Sequence, residues 1–226
     1  GSYQAGLEFT LNPGWKTYWR APGPAGLPPV FSWDGSSNIG EVAFDWPTPK
    51  VIDQNGMITL GYAEHFVLPI RFTPAEQGAV RIAMSLNFGV CSDICVPAQA
   101  VFLIELDGTT SEGAAQIDAA LNDLPQSAEG SGLEGISCAV EASTNGYEIT
   151  AELAFAEAIA APLTVIEYGT QDIWIDMAES HSLGGAITAN APLRYYGDGD
   201  LSMDMSEITV SVFGAERAVE IHGCPE

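Results

Sequence analysis

Hydrophobic side chains fall mainly at alternate positions in this chain, in short runs closed by glycine and proline. A period of two belongs to half-buried strands. Val80-Arg81-Ile82-Ala83-Met84-Ser85-Leu86-Asn87-Phe88 alternates most cleanly, and Ala100 to Leu106 reads as its return strand. Before them, Leu7 to Leu11, the aromatic stretch Trp15 to Arg20 after the turn signal Asn12-Pro13-Gly14, Val30 to Trp33, Ile39 to Trp46, Ile58 to Leu60 and Phe66 to Phe72 predict further strands. Residues 22–29 hold four prolines and two glycines, too many breakers for a regular element, and predict a long ordered loop. An α/β fold would need crossover helices of about ten residues or more between strands. The pattern supplies turns instead, so an all-β sandwich or barrel is expected.

One segment changes period. Ser111 to Leu124 places Ala115, Ile117, Ala120, Leu121 and Leu124 on one helical stripe ahead of Pro125, which predicts a short helix. The strand pattern then resumes with Ile136 to Ala142, Tyr147 to Phe155 after the turn signal Asn145-Gly146, Leu163 to Tyr168, Ile173 to Ala178, Ile187 to Ala189, Leu201 to Met205, Glu207 to Phe213 and Ala218 to His222. With 226 residues, 46% of them hydrophobic, the chain can bury two cores of about 100 residues each. The expected organisation is a first β domain over residues 1–110, a linker helix over 111–126 and a second β-sandwich over 127–226. No run of about 18 apolar residues occurs, so no membrane-crossing helix is expected. Gly1-Ser2 reads as a remnant of cloning, and a piece cut from a longer protein is expected.

Charge narrows the partners. Seven Lys and Arg stand against 30 Asp and Glu, a formal charge of -23. Nucleic acid and anionic lipid, which are recognised by basic side chains that neutralise phosphate, are excluded as expected partners. The acid excess suits an extracytoplasmic or salt-adapted protein and says little about mechanism.

Chemistry concentrates in Phe88-Gly89-Val90-Cys91-Ser92-Asp93-Ile94-Cys95-Val96-Pro97, a loop carried by two strands. Four extended residue steps would span about 13 Å, whereas a disulfide needs its Cα atoms roughly 4.4 to 6.8 Å apart, so the segment must turn, most simply through about one helical turn. So short a ring constrains the unfolded chain little, which makes thiol–disulfide exchange the leading reading of Cys91 and Cys95. Few basic residues flank the pair in sequence, and Asp93 between the cysteines disfavours a nearby thiolate, so tuning must come from fold contacts. Cys138 and Cys224 complete an even count suited to an oxidising compartment. Four cysteines allow three pairings; if Cys138 joins Cys224, a ring of about 87 residues is clipped, a structural disulfide.

Other candidates surround this loop. Tyr62, Glu64, His65 and Phe66 lie at a loop-to-strand junction that could fold over the cysteines as an aromatic cap. Soft sulfur from the two thiols and Met84, with His65, keeps copper or zinc binding as one alternative to exchange, a purely structural disulfide-stabilised β-sandwich being the other. Met203 and Met205 read as core filler, and His65, His181 and His222 show no ligand spacing. Neither a metal site nor a cofactor is therefore expected. Trp15, Tyr18, Trp19, Trp33 and Trp46 read as core and loop packing. Phosphate loops, zinc-protease motifs and nucleophile elbows are not found.

Several of these stretches together resemble the periplasmic N-terminal region of the transmembrane thiol-disulfide reductases DsbD and ScsB. They are Pro13 to Arg20, Pro22-Gly23 with Gly26-Leu27-Pro28-Pro29, Trp46-Pro47 with Pro49, Gly61-Tyr62, Leu68-Pro69-Ile70, and Cys91 to Cys95 followed by Val96-Pro97. The resemblance covers roughly residues 7 to 106. Beyond it, the linker and second domain are more similar to the copper-sensitivity suppressor branch, ScsB; DsbD places more residues between its cysteines and has a single such domain. The resemblance implies immunoglobulin-like sandwiches and a periplasmic location. It also implies that Cys91 and Cys95 take electrons from a membrane-embedded redox domain of the same full-length chain and reduce a periplasmic thioredoxin-fold protein. Tyr62 and its neighbours match the family's cap segment.

Overall fold

The computed structural model describes all residues except Asn55, Asn145, Gln171 and Glu226. The Asn145-Gly146 turn expected from sequence thus falls partly outside the described residues. The chain forms two compact units, Gly1–Leu124 and Pro125–Glu226.

The first unit runs through β1 (Tyr3–Thr10), β2 (Lys16–Tyr18), β3 (Val30–Ser32), β4 (Ile39–Phe44), β5 (Lys50–Gln54), β6 (Met57–Ala63), β7 (His65–Pro74), β8 (Val80–Cys91), β9 (Cys95–Leu106) and α1 (Ala114–Leu121). Three strands form one sheet in the order β1-β7-β4. The other sheet has the order β3-β8-β2-β6-β5, with β9 pairing β8 along its length. Alternation in β8 buries Val80, Ile82, Met84 and Leu86, which share a core with Leu68, Ile70 and Phe72 of β7. Phe31, Phe44, Trp46 and Trp33 extend it as an aromatic cluster, with Trp33 edge-on to Phe72 at 5.4 Å.

Two sequence expectations shift here, and a third holds. The junction expected between residues 58–60 and 66–72 is one residue, Glu64, at φ 64°, where the chain leaves one sheet and enters the other. The expected linker helix over 111–126 is shorter, and α1 packs on β1 and β7, where Ile117 lies against Gly6 so closely that an added Cβ would sit 2.9 Å from it. The 22–29 stretch is loop, as its prolines demand, and it is tied to β6 by Leu60 N donating to the Pro22 carbonyl at 3.0 Å.

The second unit contains β10 (Gln126–Ser127), β11 (Leu133–Ser143), β12 (Gly146–Phe155), β13 (Leu163–Tyr168), β14 (Ile173–Ile175), β15 (Glu179–Leu183), β16 (Ala186–Tyr195), β17 (Ile208–Phe213) and β18 (Ala218–His222). Its sheets are ordered β10-β18-β17-β13 and β11-β12-β16-β14, with β15 on β16. Inward residues of both, among them Ile149, Leu153, Ile187, Leu193, Val210 and Val219, make one hydrophobic core. Residues 201–204 are not a strand: Asp204 caps a 3₁₀ turn over Met205–Glu207, its carboxylate accepting from Ser206 N at 2.9 Å. Polar β15 was missed because only its backbone pairing, not its pattern, marks it as a strand. The chain is thus mostly β, in two β-rich units with a short helix ahead of the boundary.

Cys138 in β11 and Cys224 near the end are both buried and joined, 86 residues apart in sequence. Cys138 N also donates to the Pro225 carbonyl at 2.9 Å, so backbone pairing and the disulfide hold the same two segments. Replacing both cysteines by alanine is expected to lower the stability of this unit by about 2 to 4 kcal/mol, read as an earlier midpoint in urea.

Candidate functional site

Cys91 ends β8 and Cys95 begins β9, and the two are register partners with Cα atoms 4.1 Å apart, joined as a disulfide. The expected helical turn between them is absent. Strand pairing along all of β8 and β9 brings the cysteines together, and Ser92, Asp93 and Ile94 close the hairpin, with Ser92 N donating to the Ile94 carbonyl at 3.1 Å. The two cysteines differ in access. Cys91 is fully buried, whereas Cys95, Asp93 and Ile94 are exposed.

Tyr18 of the neighbouring strand lies on the sulfur of Cys91, and Leu27 of the 22–29 loop lies against Gly89, two residues back along β8. On β2, Lys16 pairs with Cys91 and Thr17 with Val90, and the Thr17 hydroxyl donates to the Gly89 carbonyl at 2.8 Å. Tyr18 lies on the same face as Lys16, two residues on. Its hydroxyl meets Cys91 Sγ at 2.9 Å and Cys95 Sγ at 3.2 Å. The ring can lie there because residue 89 is glycine: a Cβ would stand 3.2 Å from the Tyr18 ring and 2.8 Å from Leu27. Burial pushes the Tyr18 phenol above its ordinary value of 10.0, so at neutral pH it is an O–H donor aimed at sulfur.

Lys16 is buried as well, and burial lowers its pKa from 10.5. Its Nζ donates to Thr59 Oγ1 at 3.1 Å and lies 5.7 Å from the centre of the Tyr18 ring. Sequence reading placed Tyr18 in the core and gave Lys16 no role. The signal was the pair of polar residues Lys16-Thr17 inside an aromatic stretch, which is hard to interpret without knowing which strand lies alongside.

The cap candidates fall elsewhere. Tyr62 pairs with Thr17, one step out of phase with Lys16, so alternation sends it to the face opposite Cys91. There its hydroxyl donates to the Pro47 carbonyl at 2.6 Å, and its ring stacks on Phe66 at 3.9 Å, which stacks on Phe9 at 4.5 Å. The expected Tyr62 lid is therefore corrected: Tyr18 is the aromatic on the sulfurs. Glu64 and His65 are exposed at the corner, where the Glu64 carbonyl accepts from Leu11 N and His65 Nε2 meets Glu8 Oε1 at 2.7 Å. Ala63 pairs with Lys16, which puts this corner two strands, about 10 Å, from Cys91. Met84 is buried seven residues back along β8, about 23 Å of strand. Among the described residues, no group of three His, Cys, Asp or Glu converges as a metal site. A groove of about 260 Å³ lined by Thr10, Leu11, Asn12, Trp15 and Val90 opens beside the end of β8.

A hairpin disulfide with one buried and one exposed cysteine, faced by a phenol, defines a thiol–disulfide redox module. Residues 1–106 match the family described as thiol:disulfide interchange protein DsbD, N-terminal. The crystal structure of the N-terminal periplasmic domain of ScsB from Proteus mirabilis is similar over 100% of this chain and 89% of that chain, with a TM-score of 0.70 at 20% identity, a likeness of fold. No curated protein sequence matches. Through its first 106 residues the chain matches the N-terminal, periplasmic part of the DsbD family, and its likeness to ScsB is one of fold.

Gly89→Ala is expected to push Tyr18 and Leu27 off the disulfide, costing about 1 to 3 kcal/mol and raising the accessibility of Cys91 to alkylation after reduction. Tyr18→Phe has a signed pH effect. Because folding raises the phenol's pKa, its contribution is fully present below pH 10 and is lost as pH rises through the higher folded value. The stability of the native protein should therefore fall relative to Tyr18→Phe in alkali, as urea midpoints on either side of pH 10 will show.

Proposed function

We propose that the Cys91–Cys95 pair relays electrons from a membrane-embedded redox domain of the same full-length chain to a periplasmic thioredoxin-fold protein, each unit being an immunoglobulin-like sandwich. The observation that carries this reading is the asymmetry of the two sulfurs. A donor thiolate reaches exposed Cys95 and attacks its Sγ; the Cys91–Cys95 bond breaks, and Cys91 leaves as a thiolate that accepts the Tyr18 O–H. The donor's second thiolate then attacks the mixed disulfide and releases Cys95. The donor leaves as a disulfide, and the pair holds two electrons and takes up two protons. Transfer to the acceptor runs the same steps backward: Cys95 attacks the acceptor disulfide and Cys91 resolves the mixed species.

The same geometry supports docking at the hairpin tip. Ile94 is 70% exposed, next to Cys95, so a partner can bury an apolar residue as it approaches the sulfur. The Glu64-His65 corner supplies the rim in place of a lid. The long-range Cys138–Cys224 disulfide is structural: both cysteines are buried in the core of the other unit.

Two measurements test the relay. Equilibration of the folded protein with a dithiothreitol series should titrate Cys91 and Cys95 reversibly while Cys138 and Cys224 stay oxidised; a first pair that reduces only on unfolding removes the proposal. In a periplasmic extract, Cys91→Ser should accumulate a mixed disulfide through Cys95, roughly tenfold above Cys95→Ser, since only the former leaves the accessible sulfur without its resolving partner.

A further inference from the structure

The strand that begins at Cys95 is an edge. Strand β9 pairs with β8 without a break from Cys91 and Cys95 to Val80 and Leu106, and among the described residues no strand pairs with its other side. Which backbone groups lie on that side follows from the register. In an antiparallel pair, partners with Cα atoms about 4.5 Å apart turn their N–H and C=O away from each other, whereas partners about 5.5 Å apart exchange them, and the two kinds alternate. Cys91 and Cys95, at 4.1 Å, are of the first kind, as is every second pair along the ladder. Gly89, the partner of Pro97, behaves accordingly: its carbonyl accepts the Thr17 hydroxyl from β2, on the side away from β9. The N–H and C=O groups of Gln99, Val101, Leu103 and Glu105 therefore point off the sheet.

Natural edge strands are guarded by charge, proline or a bulge. Pro97 guards the end beside the cysteines, since the N–H it lacks is one that would point outward. The stretch from Ala98 to Ile104 has no such guard: it carries no charge, and its pairing with β8 contains no bulge. It is apolar on both faces instead. Val101 and Leu103 are 67% and 78% exposed on the outer face, and Phe102 and Ile104, whose partners Met84 and Ile82 are buried, are exposed as well. Single exposed apolar residues are ordinary on a protein surface; four in succession along an unpaired edge mark a contact.

Charge identifies the occupant. Although the chain carries -23, Glu105 is the one charged side chain on β9, and Arg81 of β8 holds it at 2.8 Å. When a second β9 lies antiparallel with the two Phe102 residues opposed, Val101 meets Leu103 of the second copy, Gln99 meets Glu105, and no two carboxylates face each other. The outward N–H and C=O groups of each copy then meet those of the other, and the apolar side chains of both faces become neighbours. Such a pairing is a closed two-fold that uses up both edges. The rest of the acid lies off this strand, where it repels at longer range and is screened by salt.

We propose that β9 is a self-association edge, through which two copies of this chain join antiparallel over Gln99 to Glu105 and continue the sheet across a two-fold axis. Pro97 ends the added ladder short of Cys95, so Cys95 and Ile94 stay open to a redox partner. The association is independent of any exchange at Cys95.

The test sediments the whole chain to equilibrium over a roughly hundredfold range of concentration, in about 0.05 M and about 0.5 M salt, and follows amide hydrogen exchange in parallel. The mass should rise from 23.9 kDa toward twice that value, more readily at the higher salt, and the Val101 and Leu103 amides should slow with concentration while those of Phe102 and Ile104, already bonded to β8, do not change. Val101→Pro removes an outward N–H and spares the bonds to β8, and Leu103→Lys puts a charge in the seam; each should weaken association at least about tenfold. Leu183→Lys, the same change of charge at an apolar side chain 87% exposed on β15, should leave association as it is. A monomer under all conditions overturns the proposal. So does a dimer that persists in folded Val101→Pro, that is weakened as much by Leu183→Lys, or whose Val101 and Leu103 amides exchange as fast as in dilute protein, because another surface then joins the copies. Should Val101→Pro lose its near-ultraviolet circular dichroism, Leu103→Lys decides: wild-type association in it overturns the proposal.

Discussion

The pairing of β8 with its two neighbours at Cys91 is the constraint on which the site depends. On one side β9 returns residue for residue, so that Cys95 meets Cys91 without any dedicated loop geometry. On the other, the three residues of β2 bring Lys16 level with Cys91 and Tyr18 level with Gly89. Slipping β2 by one residue would reverse its faces, sending Tyr18 into the core and Thr17 toward the sulfurs. The short strand is secured against that by the Thr17 hydroxyl on the Gly89 carbonyl and by Trp19 N on the Leu60 carbonyl.

From this register follows the division of labour between the sulfurs. A hairpin tip projects beyond the sheet, so Cys95 and Ile94 stay in solvent, while Cys91 is still inside the sheet with Tyr18 on its sulfur and the proline-rich loop resting on Gly89 beside it. The loop follows the breakers in residues 22–29, and the bare backbone at Gly89 gives Leu27 and Tyr18 somewhere to rest. Burial then acts on chemistry: it keeps the phenol protonated and makes any charge near Cys91 count for more than it would in water.

The two disulfides illustrate how one covalent bond serves different ends. Cys138–Cys224 closes a long ring inside an apolar core, and its value lies in the freedom it removes from the unfolded chain. Cys91–Cys95 closes a ring that the hairpin has already closed by hydrogen bonds, so breaking it leaves the pairing of β8 and β9 in place. A bond that can be lost without loss of fold is one that can carry electrons.

Much of this was legible in sequence. Period-two alternation in Val80 to Phe88 and in Tyr147 to Phe155, punctuated by glycine and proline, determined strands and an all-β chain because a side chain's face follows directly from its position in a strand. The spacing of Cys91 and Cys95 determined that a tight ring was possible. Which residues stand beside that ring was not legible. Tyr18 and Lys16 are more than seventy residues away in sequence, and only strand register puts them there, while the same register takes Tyr62, nearer in sequence and chemically as suitable, to the opposite face. Periodicity is local and survives in one dimension; register is a long-range choice made by the packing of whole sheets, and the environment of the buried sulfur belongs to the second kind.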